Sequence, residues 1–128
     1  MIRLLALTAL SAALLAPPAA EAGCRSNSCE ERVAHAKWRK VVAPHRSVLA
    51  ANAQCESGGR YNLYTTGSGY YYSHQFDAAA WLGSGGRSRR GRLVGRFSTQ
   101  PGRLEQDYRA VIWDRRHGGD PWPNCPFG

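Results

Sequence analysis

Carboxylates are scarce in the middle of this 128-residue chain: from Arg32 through Leu104 there are two, Glu56 and Asp77. Carboxylate acid or base chemistry in that stretch therefore falls on one or both of them. The four histidines (His35, His45, His74, His117) are scattered, without the paired spacing of metal ligands, so neither a metal site nor a cofactor is expected. There is no internal repeat, heptad or phosphate-binding glycine loop, which argues against a solenoid, a coiled coil and a nucleotide site. The longest uncharged apolar run, Leu4 to Ala16, is too short to span a bilayer.

That run has a different explanation. Met1-Ile2-Arg3 gives a positive start, Pro17-Pro18 breaks the apolar stretch, and Ala20-Glu21-Ala22 supplies small residues around a cleavage point. This is the layout of a secretory signal peptide over residues 1–22, with cleavage expected after Ala22. Cys24 suggests a lipoprotein alternative, but Glu21 stands where a lipid-attachment signal wants an aliphatic residue. Residues 23–46 then read as an N-terminal helical extension and 47–128 as the main domain. The net charge is +8, which draws an exported protein toward anionic polymers without choosing among them.

A chain this short gains from covalent staples. It has four cysteines, Cys24, Cys29, Cys55 and Cys125, and an even count in an exported chain favours disulfides. Three pairings are possible. The preferred one joins Cys24 to Cys29 in a tight loop and Cys55 to Cys125 across the domain.

Local signals outline the elements. Cys29 to Val42 carries an apolar stripe, with acids at its start and bases at its end as the helix dipole favours. A second helix is expected from about Pro44 to Glu56, stopped by Gly58-Gly59. Tyr61 to Phe76 is dense in Tyr, Thr and Phe around Gly67-Ser68-Gly69, which predicts a small hairpin. Asp77 is placed to cap a short helix through Trp81 and Leu82. Gly83 to Arg96, rich in glycine and arginine, reads as a mobile solvated loop. A last helix is expected from an N-cap at Ser98 or Thr99, with Pro101 in its first turn, to a stop at Gly118-Gly119.

Glu56 lies in Cys-Glu-Ser-Gly-Gly (Cys55–Gly59), on the expected last turn of the second helix. Carbonyl dipoles there disfavour negative charge and favour a raised pKa. Cleaving a glycosidic bond needs an acid to protonate the leaving oxygen, and a glutamate does this near neutral pH only when burial raises its pKa. Tyr61, Tyr70, Tyr71, Tyr72, Phe76 and Trp81 are candidate walls, with Phe76 and Trp81 assigned to the core. Asp77 is a candidate second carboxylate, unless capping holds it away from the cleft. A route needing one carboxylate also exists, in which the sugar's own 6-hydroxyl attacks the anomeric carbon.

Several blocks in order then become recognisable. Cys55–Tyr61 (Cys-Glu-Ser-Gly-Gly-Arg-Tyr), Thr66–Tyr71 (Thr-Gly-Ser-Gly-Tyr-Tyr), Gln75–Asp77, Trp81, Leu104-Glu105-Gln106 and Trp122–Cys125 (Trp-Pro-Asn-Cys) together resemble the resuscitation-promoting factor domain of actinobacteria, a transglycosylase-like domain. The resemblance implies a small lysozyme-like α+β fold, mainly helical with a short β-hairpin. It implies a secreted enzyme cutting β-1,4 bonds between N-acetylmuramic acid and N-acetylglucosamine, with Glu56 as general acid and a Cys55–Cys125 disulfide. It also puts Gln75 and Asp77 along the substrate cleft. Tyr61, Tyr70 and Tyr71 complete the expected substrate-binding set. Peptidoglycan strands are the expected partner, with anionic wall polymers and a cell-wall peptidase as further candidates; neither nucleic acid nor a membrane span is expected, and the chain reads as a monomer. The chain departs from the family at Tyr72, Ser73 and His74, where two small residues and an apolar one are usual. Those changes are expected to narrow the cleft or to add an auxiliary acid or base at His74.

Overall fold

The computed structural model describes residues 24–64, 68–117, 121–125 and 127. The expected leader over 1–22, the helix stop at Gly118-Gly119 and the turn residue Gly67 lie outside them.

Helix α1 spans Asn27–Val42. The Ser26 hydroxyl accepts from the Cys29 N–H at 3.4 Å to cap it, Glu30 sits in the first turn and Arg39 and Lys40 in the last. Ala34, Trp38 and Val42 recur every four residues and form its buried stripe. A single 3-10 turn over Ala43–His45, carrying Pro44, redirects the chain into α2, Arg46–Ser57. Helix α3 is short, Ala78–Gly83, and the Asp77 carboxylate accepts from the Ala80 N–H at 2.6 Å to start it. Helix α4, Arg103–His117, packs along α1 and against α3.

The core gathers Leu49 of α2, Ala110 and Val111 of α4, Trp81 of α3, and the aromatic side chains of Tyr72, Phe76 and Trp122. Residues of the N-terminal helical extension pack on α4. Trp38 stacks on Tyr108 with ring centroids 5.3 Å apart, and the Arg109 guanidinium lies over Trp38. Both expected disulfides form, Cys24–Cys29 and Cys55–Cys125.

The strand pair is not where the sequence suggested. Among the described residues of 61–76 the pairing shrinks to one antiparallel bridge, Tyr71 with Phe76, closed by two backbone hydrogen bonds of 2.8 and 2.9 Å. The hairpin lies instead within the stretch expected as a loop: β1 is Arg87–Arg89 and β2 is Arg92–Val94, antiparallel, with Arg89 opposite Arg92. Arg90 and Gly91, both at positive φ (51° and 75°), make its two-residue turn. The hairpin has no apolar face of its own to reveal it. Tertiary bonds hold it: the Trp81 Nε1–H reaches the Arg87 and Val94 carbonyls at 3.3 and 3.1 Å, and the Tyr72 hydroxyl donates to the Leu93 carbonyl at 2.8 Å. Gly86 lies flat on the Trp81 indole, where a Cβ would come within 2.4 Å of Nε1, so no larger residue fits. The result is an α+β domain of helices with one small hairpin.

The start of α4 also differs. Ser98 turns its hydroxyl to the Gln100 carbonyl instead of to a helix N–H, and the helix begins beyond Pro101. Gln106 explains the tighter start: its side-chain Nε2–H donates to the Pro101 and Tyr61 carbonyls, both at 2.8 Å, pinning the entry segment outside the helix.

Candidate active site

Helix α2 carries Glu56 to its last turn and stops there. Gly58 takes the left-handed conformation, φ 65°, that a side chain would strain, and the N–H groups of Gly58 and Gly59 close on the carbonyls of Gln54 and Ala53. The neighbouring Cys55 is bonded to Cys125, which brings the 121–124 segment alongside the helix end. Between them opens a cleft of about 590 Å³. Glu56, Tyr70, Gln75 and Asp77 line it, together with Trp113, Trp122 and Asn124 among others.

The two carboxylates among the described residues that line the cleft are not equivalent. Asp77 is exposed and committed to the N-terminus of α3 through its 2.6 Å bond to the Ala80 N–H. Glu56 is half-buried and has no hydrogen bond or ion pair to any described residue. Burial raises its pKa above the ordinary 4.5, because the charged form loses hydration with no compensating partner. A carboxylic acid in that setting keeps its proton to higher pH, as a general acid requires.

The other acids near the fold's centre are tied up. The Glu105 carboxylate accepts from the Arg96 N–H at 2.9 Å and from Arg109 Nη2 at 3.1 Å. Asp107 accepts from the Tyr61 hydroxyl and lies 2.8 Å from His74 Nε2. Each is buried and braces loops against α4.

Of the expected site residues, Glu56, Tyr70, Gln75 and Asp77 come together in the cleft, while Tyr61 and Tyr71 are not among the residues lining it. Tyr61 faces Asp107; burial and then that carboxylate push its phenol pKa up, so the hydroxyl stays a donor. Tyr71 spends its backbone on the bridge to Phe76 and its ring leans on Tyr72. Gln75 sits at φ 52° in the tight turn, its side-chain amide donating to the Tyr72 carbonyl at 2.9 Å.

The departures at 72–74 leave the cleft untouched, since none of the three residues lines it. Tyr72 enters the core and packs on Trp81 at 4.5 Å between ring centroids. The Ser73 N–H and hydroxyl both donate to Gln106 Oε1. His74 is fully buried, with Nδ1 2.7 Å from Asn52 Oδ1 and Nε2 2.8 Å from Asp107 Oδ1. A side chain sealed in this way braces α2 against α4 and does not reach substrate.

Residues 43–125 match the family model described as transglycosylase-like domain. The chain belongs to the transglycosylase-like domain family. No curated protein and no solved structure gives a significant match. Membership agrees with the resemblance carried by the Cys55–Tyr61 and Trp122–Cys125 blocks, and supports a peptidoglycan-acting enzyme class of lytic transglycosylase type. Within this transglycosylase-like domain the sequence reading missed one wall of the cleft, Trp113 and His117 of α4, whose rings lie 3.4 Å apart between centroids. The available signal was a tryptophan late in the expected last helix, packed only partly against the core. Among the described residues no three His, Cys, Asp or Glu side chains converge as metal ligands, and no helix is long and apolar enough to cross a membrane.

Proposed function

We propose that the protein is a secreted peptidoglycan glycosidase that cuts the β-1,4 bond between N-acetylmuramic acid and N-acetylglucosamine, with Glu56 as its general acid. The observation that carries this reading is a half-buried carboxyl of raised pKa on the wall of an open cleft, without a hydrogen-bond or ion-pair partner among the described residues. Glu56 protonates the leaving glycosidic oxygen as positive charge develops at the anomeric carbon. Its carboxylate then accepts the proton of the muramyl 6-hydroxyl as that oxygen closes on the same carbon. The products are a 1,6-anhydro sugar end and a free hydroxyl, and Glu56 regains its proton.

Asp77 fits a substrate-positioning role, because its carboxylate already serves α3. The one-carboxylate route therefore asks less of this site than hydrolysis with a second acid. Tyr70 and Gln75 join Asp77 as candidate contacts to the glycan. The leader-like N-terminus, the two disulfides and the wall-acting family together support an extracellular setting, and wall remodelling or revival of resting cells is the biological role that the family resemblance suggests.

The test is digestion of purified cell walls by the protein and by Glu56→Gln, read by mass spectrometry of the released muropeptides. Wild-type protein should release anhydro ends, one water lighter than hydrolysed ends, and the variant should lose roughly 100-fold or more of the rate. Undiminished cleavage by the variant removes Glu56 from the mechanism. Wall binding with no product from either protein assigns the domain to recognition instead of catalysis.

A further inference from the structure

Outside the cleft, the feature least explained by folding is the charge on the β1–β2 hairpin. Residues 87–92 include four arginines, Arg87, Arg89, Arg90 and Arg92, all exposed. Arg87 donates to the Arg96 carbonyl at 3.3 Å, whereas Arg89, Arg90 and Arg92 have no ion-pair or hydrogen-bond partner among the described residues. The register faces Arg89 with Arg92, and like charges directly opposite across two strands are unfavourable. Arg90 holds φ 51° at a turn position where Asn or Gly is preferred. None of these choices favours the fold.

The hairpin is nevertheless firmly placed. Trp81 ties both its ends, Tyr72 ties β2, and Gly86 seats it on the indole. Guanidinium groups are thus presented from an ordered strand pair, which lowers the entropy lost on capturing a ligand. Arginine forks match phosphate oxygens in a two-point geometry. No aromatic residue occurs in 87–92, so the hairpin itself offers no aromatic ring on which nucleobases could stack. The ligand that fits is an extended polymer with phosphate along its backbone and no bases.

We propose that this hairpin is a second binding site, outside the catalytic cleft, for a phosphate-bearing anionic polymer of the cell wall. It rests on the wall-acting reading above only for where such a polymer is met. Holding a charged polymer at the hairpin keeps the enzyme on the wall while the cleft finds its glycan.

The probe is soluble poly(glycerol phosphate), titrated into the whole protein over a series of salt concentrations. A triple variant, Arg89→Ser with Arg90→Asn and Arg92→Thr, is compared at each salt. Binding to the wild-type protein that weakens steeply with salt is expected. The variant should bind at least tenfold more weakly at low salt, with a log–log salt slope shallower by about two, at roughly 0.7–0.9 per lost phosphate contact. An unchanged far-UV spectrum and a melting temperature no lower than the parent's would show that the variant is folded. No binding by the parent, or variant affinity within twofold of it, overturns the proposal. So does tighter binding of a single-stranded oligonucleotide with the same number of phosphates. The polymer contains no bond that Glu56 is proposed to cut, so this site can fail while cleavage succeeds, and the reverse.

Discussion

Removing the Cys55–Cys125 bridge by Cys55→Ala with Cys125→Ala should cost about twice the stability lost on removing Cys24–Cys29 in the same way. The two bridges close segments of very different length, with sequence separations of 70 and 5 residues. In the chain-entropy treatment the long bridge is worth about 4 kcal/mol and the short one about 2 kcal/mol. Against the roughly 5–15 kcal/mol typical of a domain, the first is a large fraction of the total. It corresponds to a fall in melting temperature on the order of 15–30 °C, and the second to about half of that. The long bridge also has a positional role, because Cys55 precedes Glu56 and Cys125 follows Asn124, which line the cleft together. Its loss should therefore lower wall cleavage at temperatures where the variant is still folded, while loss of Cys24–Cys29 should not. The assay is non-reducing urea unfolding followed by circular dichroism, with cleavage measured alongside. Equal losses from the two bridges would refute the reasoning from loop length, and full activity without Cys55–Cys125 would refute the positional role.

Two further outcomes follow from the cleft. Because burial raises the Glu56 pKa above 4.5, its contribution to stability is fully present below that unfolded value and is lost as pH rises through the higher folded one. Glu56→Gln, neutral throughout, should match wild type in melting temperature at acid pH and exceed it slightly at neutral pH; a variant less stable than wild type at neutral pH contradicts the assignment of burial as the cause. Trp113→Ala removes an aromatic wall that fits sugar stacking, worth about 0.5–1.5 kcal/mol. It should raise KM roughly two- to tenfold with a smaller change in kcat, and an effect confined to kcat would argue against a binding role.

What could be read from the sequence was local. The Gly58 stop, the placement of Glu56 one residue after Cys55 on a last helical turn, the Asp77 cap and the charge order along α1 each depend on neighbours a few residues apart. What could not be read depends on distant partners. The hairpin at 87–94 has no alternation of apolar and polar residues, and its anchors, Tyr72 and Trp81, lie outside it. His74 looked like a candidate acid or base because a lone histidine does not disclose that Asn52 and Asp107, 22 and 33 residues away, enclose it. Tyr61 failed to reach the cleft for the same reason: its hydroxyl is held by Asp107, 46 residues downstream.

The far rim of the groove comes from positions 121–124, and the Asn52 amide grips the Cys125 carbonyl at 2.6 Å from beneath. Translation must therefore pass residue 125 before any trough exists, and the sulfurs must then be oxidised to fix it in place. A chain kept under reducing conditions lacks the sulfur bridge that fixes the rim. The groove is thus complete only once residue 125 has been made and its bridge to Cys55 has formed.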